Sequence, residues 1–186
     1  PSSNVNDLLQ TRGGDYWVAT TGGLVRFDPK GRPGRRAAQS SGDTPAPMFT
    51  VVSDDGDQRT RIITVLREGR DGTIWAGTDN GLYRLELSNG RRSLRPVDVH
   101  FPHEYPELRI VTDVVDDSGG LWISAPSGLY RRWPDGSAAR YTMRDGLPQD
   151  YLSDLLEDHE GRLWLGARQG GFFRLSVDGS RHAPVV

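Results

Sequence analysis

Residues 71–84 have the sequence DGTIWAGTDNGLYR. A DG turn signal precedes a short run centred on Trp75, and a DNG turn signal precedes a second short run. Short runs rich in β-branched and aromatic residues, bounded by Gly, Asn and Asp, are typical of β-hairpins. This stretch therefore predicts two antiparallel strands joined by a tight turn.

The same pattern occurs three more times along the chain. In each copy an apolar run leads through a turn into a Trp-centred run, and a Gly turn leads into the next run. The other copies are GDYWVAT at 14–20 with GLVRF at 23–27, GGLWIS at 119–124 with GLYR at 128–131, and GRLWLGA at 161–167 with GFFRL at 171–175. The repeated Trp residues are spaced by 58, 47 and 42 residues, at positions 17, 75, 122 and 164. The last two spacings fit the roughly 40–50 residues of a propeller blade.

The repeats predict an all-β fold made of β-propeller blades: four four-stranded antiparallel repeats that form part of a larger ring. One propeller segment is expected over 1–186. Its blades are predicted at 4–52, 61–100, 109–143 and 151–186, with weaker fourth strands near Met48–Val52, Leu94–His100, Ala139–Met143 and Arg181–Val186. Each repeated Trp is expected to pack between neighbouring blades. The Gly three residues before each Trp is expected at positive φ.

An insertion at 28–47 interrupts the first blade. It is rich in Gly, Pro, Ser and Arg and has no apolar anchor, so we expect it to be mobile. The rest of the composition is typical of a globular domain, with 35% hydrophobic and 26% charged residues.

Charge and cysteine content exclude several function classes. The formal net charge of −2 argues against a nucleic-acid partner, because phosphate binding needs a basic face. The absence of Cys excludes disulfide scaffolds, thiolate metal sites and a cysteine nucleophile. No apolar run approaches the length of a spanning helix, so no membrane contact is expected of this segment itself.

The stretch at 71–84 and the DGLP sequence at 145–148 resemble the two-component regulator propeller repeat. GARQGG at 166–171 resembles a longer-turn variant of it. The resemblance covers all four repeats. It implies a large propeller, commonly seven-bladed, in the periplasmic or extracellular sensor region of a histidine kinase or related regulator. Ser124, Pro126 and Ala167 depart from the usual Thr-containing pattern.

Loops at one end of a propeller commonly form a binding surface around the channel mouth. In this chain those loops carry residues that combine hydrogen-bond donors with flat, stackable groups: Arg61, His103, Tyr105, Arg109, Tyr151 and Arg168. Such a set suits a small molecule or a glycan, or equally a peptide or a carboxylate. The simpler interpretation, that these are solvated loops, stays open.

Acidic residues recur in the predicted inner strands and in the turns. Asp7, Asp113 and Asp154 are assigned one equivalent position, which Thr64 fills in the second repeat. They are expected at or near the channel, either as cation ligands or bonded to nearby backbone. The acids at 116–117 and 158–160 fit turn chemistry. We predict no metal site, no cofactor and no catalytic residues, since no nucleophile, base and orienting group can be assembled.

Three functional hypotheses follow. The first is a non-enzymatic, extracytoplasmic sensor or ligand-binding module of a two-component or related signalling protein. The second is an enzyme on a propeller scaffold, such as a glycoside hydrolase or lyase. The third is a protein–protein interaction scaffold. The fourfold repeat leaves no strand to link the first blade to the last, so self-association through open blade edges is a further expectation.

Overall fold

The computed structural model describes residues 4–31, 47–52, 62–88, 90–102, 106–117 and 119–176. Within these residues fifteen strands form four antiparallel sheets in chain order. The first two sheets contain β1 Val5–Gln10, β2 Tyr16–Thr20, β3 Gly23–Phe27 and β4 Phe49–Val51, then β5 Ile63–Glu68, β6 Ile74–Thr78, β7 Gly81–Ser88 and β8 Arg91–Val97. The other two contain β9 Asp113–Asp117, β10 Gly120–Ala125, β11 Gly128–Arg132 and β12 Ala138–Tyr141, then β13 Leu152–Glu157, β14 Leu163–Ala167 and β15 Gly171–Leu175.

Each sheet is one blade, numbered 1 to 4 along the chain, so the predicted all-β propeller architecture is confirmed. Strand β8 begins at Arg91, three residues before the predicted Leu94, because β7 continues to Ser88. The fourth strand predicted at 181–186 and most of the insertion, residues 32–46, lie outside the described residues.

Glycine places the turns where a left-handed backbone is required. Gly14, Gly72 and Gly161 have φ of 87°, 88° and 76°, as expected for the Gly three residues before each Trp. The third blade differs, because Gly120 rather than Gly119 has the positive φ, at 133°.

The hydrophobic core lies between blades. Trp17 and Leu24 of blade 1 pack with Leu66 and Tyr83 of blade 2 in one cluster. A second cluster joins blades 2 and 3, and a third joins blades 3 and 4. Because the core lies in these joints, the stability of one blade depends on the next.

The repeated Trp residues divide into two groups. Trp17 and Trp122 are buried, each 2% exposed, and Trp75 packs at the edge of the cluster between blades 2 and 3. Trp164 is only partly buried and lines a groove on the outer face of blade 4. The prediction that each Trp packs between blades is therefore not tested for Trp164, because no blade covers that face among the described residues.

Two short 3-10 helices, Pro106–Arg109 and Met143–Asp145, lead toward β9 and β13. In the described part of the chain, no helix has the length and apolar character needed to cross a membrane.

Candidate functional site

One end of each blade combines a strand turn with the segment that leads into the inner strand. The N–H of Thr21 donates to the carbonyl of Asn4 at 3.2 Å, and the N–H of Asp79 donates to Ile62 at 3.2 Å. In blade 4 the N–H of Arg168 donates to the carbonyl of Tyr151 at 3.3 Å. We call this end the upper end. In blades 1, 2 and 4 the turn between the second and third strands therefore lies beside the segment that leads into the inner strand.

Tyr151 and Arg168 form an exposed platform at the upper end of blade 4. The Arg168 guanidinium carbon lies 4.9 Å from the centroid of the Tyr151 ring, and both side chains are exposed. An exposed cation–π pair contributes about 0.5–1 kcal/mol. The pair therefore presents a cation and an aromatic ring side by side on the surface.

Arg109 lies in a different place, at the joint between blades 2 and 3. It ends the Pro106–Arg109 helix, and its Nε donates to the carbonyl of Pro102 at 3.1 Å. It also lines a cavity of about 130 Å³ together with Asn80 and Phe101. This volume suits a few water molecules and is below the 300–1,000 Å³ of usual ligand pockets.

Arg61, His103 and Tyr105 lie outside the described residues. Of the six predicted site residues, the structure brings Tyr151 and Arg168 into contact and places Arg109 at another blade joint. Their membership of one ligand site stays a prediction.

A buried serine that sequence reasoning missed fixes the approach to β9. The Ser127 hydroxyl bonds to the carbonyl of Leu108 at 2.7 Å and to the Tyr130 hydroxyl at 2.8 Å. The Arg140 Nε donates to the carbonyl of Ser127 at 2.8 Å. Burial raises the pKa of Tyr130, so this phenol stays neutral. The only sequence signal was that Ser127 replaces the Asn of the corresponding turn in blade 2.

Asp79 is a second residue that the sequence did not single out. It lies in the turn between β6 and β7, at the upper end of blade 2. Burial raises the pKa of its carboxyl above the ordinary range. Asp79 directly precedes Asn80, which lines the Arg109 cavity, so its carboxyl adds a hydrogen-bonding group to this end of the molecule.

The opposite end contains an arginine that connects three blades. Arg70, in the turn after β5, donates through Nε to the carbonyl of Asp116 at 3.1 Å and through a terminal nitrogen to Glu157 at 2.6 Å. The Glu157 carboxylate raises the pKa of Arg70 further. In the corresponding turn of blade 1, between β1 and β2, Arg12 donates to the carbonyls of Gly69 and Arg70. Arg12 and Arg70 occupy the same position in their repeats, two residues before Gly14 and Gly72, and this was the sequence signal that could have identified them.

The inner-strand acids bind backbone and arginine. Asp7 accepts from the N–H of Leu66 at 2.8 Å, and Asp113 accepts from the N–H of Leu155 at 3.1 Å. Arg67 contacts both carboxylates, at 3.0 Å and 2.8 Å. Burial raises the pKa of Asp113, and Arg67 offsets part of that rise. The described residues contain no cluster of three or more acidic or histidine groups suited to a metal.

The position assigned to Thr64 is wrong by one residue. In the strand pairings, Asp7, Asp113 and Asp154 lie opposite Ala19, Ser124 and Gly166, and Val65 lies opposite Gly77. Val65 is therefore the blade 2 equivalent of the acids. The same register shift occurs at the starts of β1, β5 and β13, so Thr64 is equivalent to Asn6 and Ser153, one residue before the row of acids.

Residues 146–169, which include Tyr151 and Arg168, match the two component regulator propeller family. No curated protein matches the chain. The structure resembles the extracellular domain of BT4673 from B. thetaiotaomicron, described as a hybrid two component system, with 19% identity over 93% of this chain and 24% of that one, and a TM-score of 0.71. For the corresponding domain of BT3049 the values are 21%, 98%, 25% and 0.65.

Virginiamycin B lyase from Staphylococcus aureus has a lower TM-score of 0.58, with 13% identity over 98% of this chain and 59% of that one. The chain spans about a quarter of the length of the two component system proteins. At these identities the similarities establish the fold. The match at 146–169 confirms, for that segment, the resemblance to the two component regulator propeller repeat that the sequence predicted.

Proposed function

We propose that this chain is the ligand-binding propeller segment of an extracytoplasmic sensor in a two-component or related signalling protein. The observation that carries the proposal is the exposed Tyr151–Arg168 platform, which lies within the matched repeat. Its place at the upper end, where the blade turns converge, is where propellers commonly bind ligands.

The structural neighbours support the sensor assignment. Those from B. thetaiotaomicron are extracellular domains of proteins described as hybrid two component systems, and their TM-scores exceed that of the lyase. The placing of this chain outside the cytoplasm and its coupling to a signalling output are part of the proposal.

The platform chemistry favours a sugar that carries a carboxylate. A guanidinium offers paired N–H donors that match the two oxygens of a carboxylate. The tyrosine hydroxyl beside it can bond a sugar hydroxyl. Binding without chemical conversion fits this set, which has donors for recognition but no nucleophile beside a base.

Thermal-shift titration of the 186-residue chain tests this proposal. The probes are oligosaccharides of galacturonate and glucuronate, with galactose and glucose oligosaccharides as neutral counterparts. We expect a saturable rise in melting temperature with an acidic sugar, and its loss in Arg168→Gln. Arg91→Gln, which removes an exposed arginine from β8, is the matched control and should bind normally. Absence of a response to every acidic sugar, or an unchanged response in Arg168→Gln, would contradict the proposal.

A further inference from the structure

The joint between blades 1 and 2 opens into a groove beside the outer strands β4 and β8. The groove has a volume of about 200 Å³ and is lined by Arg26 and residues 50–52 of blade 1 and by residues 90–92 of blade 2. Both walls belong to described blades, so the groove is a feature of the joint itself. Three of its lining side chains are arginines, and none of its described lining residues is acidic.

Strand register determines which side chains of blade 1 face this groove. Trp17 lies opposite Arg26, and Arg26 lies opposite Thr50. Directly opposed residues of antiparallel strands share one face of the sheet. Trp17 packs with Leu66 and Tyr83 of blade 2. Arg26 and Thr50 therefore also lie on the face that is turned toward blade 2.

A long hairpin of blade 2 supplies the other wall. Strands β7 and β8 contain 8 and 7 residues, whereas the corresponding β11 and β12 of blade 3 contain 5 and 4. The far end of this hairpin consists of the pairs Leu87–Arg92 and Ser88–Arg91. The Arg92 guanidinium carbon lies 5.8 Å from the centroid of the Trp17 ring in blade 1. Blade 2 thus reaches across the joint and brings two arginines to blade 1.

The positive charge of these two arginines is not neutralised within the described part of the chain. Arg26 is paired with Asp15 at 2.7 Å. The side chains of Arg91 and Arg92 are exposed and form no salt bridge or hydrogen bond with described residues. Glu86, the acid of the same hairpin, contacts two other arginines. The groove therefore presents two cationic groups that lack a carboxylate.

We propose that this groove binds a phosphate group, either as free phosphate or as the monoester of a larger ligand. A phosphate monoester carries a charge of about −1.5 to −2 at neutral pH, which matches the two guanidinium groups. Guanidinium groups donate paired N–H bonds to phosphate oxygens. The exposed Thr50 hydroxyl offers a further donor. The groove is smaller than the pockets that enclose whole organic ligands, and its volume suits one such group.

The same charge balance separates this groove from the Tyr151–Arg168 platform. A carboxylate has a single negative charge and would leave one of the two guanidinium groups of the groove without a counter-charge. The platform lies in blade 4 and the groove lies between blades 1 and 2. Arg91→Gln, which should leave binding of acidic sugars unchanged, should therefore impair binding of phosphate.

Amide NMR titration of the isotope-labelled chain tests the groove residue by residue. The probes are inorganic phosphate and methyl phosphate, with sodium chloride at equal ionic strength as the reference. We expect saturable shifts at Thr50 and at residues 90–92 with phosphate. Arg91→Gln and Arg92→Gln should each weaken binding by about tenfold, because each removes a charge-assisted hydrogen bond. Arg95→Gln removes an exposed arginine of the same strand that does not line the groove, and it should bind like wild type.

The two probes distinguish the sources of the phosphate group. Shifts with inorganic phosphate alone would assign the groove to the free anion, and shifts with both would assign it to an ester as well. Arg168→Gln should bind phosphate normally, so failure of the platform proposal leaves this one standing. Shifts that chloride reproduces, that do not saturate, or that persist at full affinity in Arg91→Gln would overturn the phosphate site. Arg91 makes no described side-chain contact, so that variant should fold normally, and circular dichroism checks this.

Discussion

A single carboxylate organises the turn before the last described Trp strand. Asp158 accepts from the indole N–H of Trp164 at 2.8 Å and from the Nε of Arg162 at 2.7 Å. It also accepts the backbone N–H groups of Glu160 and Arg162. These donors, the indole first, hold the pKa of Asp158 far below its ordinary range. Turn chemistry, the simpler interpretation of this acid, accounts for its position.

Asp158 should therefore stabilise the fold in a pH-dependent way. A lowered folded-state pKa gives stability that is present above the unfolded value of about 3.9 and is lost as the pH falls toward the folded value. Asp158→Asn should lower the melting temperature at neutral pH, and its difference from wild type should shrink below about pH 4. Thermal unfolding followed by circular dichroism measures this. Glu160→Gln is the control, and a difference that stays constant with pH would contradict the assignment.

The equivalent tryptophans should contribute unequally to stability. Trp122 is buried between blades 3 and 4, and Arg131 lies over its ring at 4.5 Å. Trp122→Ala should lower the free energy of unfolding by about 3–5 kcal/mol. Trp164→Ala should cost less than half as much in the monomer, because its ring is only partly buried. Equilibrium denaturation at low protein concentration compares them, and equal losses would mean that the outer face of blade 4 is covered.

At the scale of strands, the sequence predicted what is local and missed what depends on register. The Gly turns and Trp-centred strands follow from short patterns, so β2, β6, β10 and β14 were predictable. The register shifts at the starts of β1, β5 and β13 leave no mark in an apolar pattern. Because the shift is the same in all three strands, Thr64 is equivalent to Asn6 and Ser153, and their shared polar character was the sequence signal for the correct row.

The same distinction applies to the candidate site. Tyr151 and Arg168 were predictable as neighbours because the repeat brings a turn and an inner-strand approach of one blade together. The contacts of Arg70 with blades 3 and 4 depend on distances between blades. No pattern within one repeat encodes those distances.

Arg67 links the inner strands of three blades, since it joins Asp7 of blade 1 to Asp113 of blade 3. Arg67→Met should destabilise the protein by about 1–3 kcal/mol, because Asp113 is then left buried without its partly exposed cation. Burial raises the folded pKa of Asp113, and a raised acid pKa destabilises the fold above that value and not below it. The penalty should therefore be larger at neutral pH than near pH 4.

Chemical denaturation at both pH values measures the Arg67 effect. Arg95→Met, which removes an exposed arginine at 3.7 Å from Glu86, is the control and should have little effect at either pH. The double variant Arg67→Met with Asp113→Asn should recover part of the lost stability. A penalty that does not change with pH would assign the effect to lost packing of the arginine side chain.

At the scale of the whole molecule, the fold is a row of blades whose cores lie in the joints. Blades 2 and 3 are covered on both faces by described neighbours, whereas the exposed Leu8 and Leu156 mark uncovered faces on blades 1 and 4. In such arrays each unit is stabilised by its own contacts plus those with its neighbours. Stability should therefore be highest at the middle of the chain.

Amide hydrogen exchange measures that gradient directly. At protein concentrations low enough to keep the chain monomeric, β5 and β9 should exchange more slowly than β1 and β13. The reason is that opening an inner strand of blade 2 or 3 disrupts two joints, whereas opening one at either end disrupts a single joint. Leu66→Ala, at the joint between blades 1 and 2, should speed exchange in β1 more than in β13. Equal protection of all four inner strands in the monomer would show that blades 1 and 4 already cover each other, and the arc would then be a closed ring of four blades.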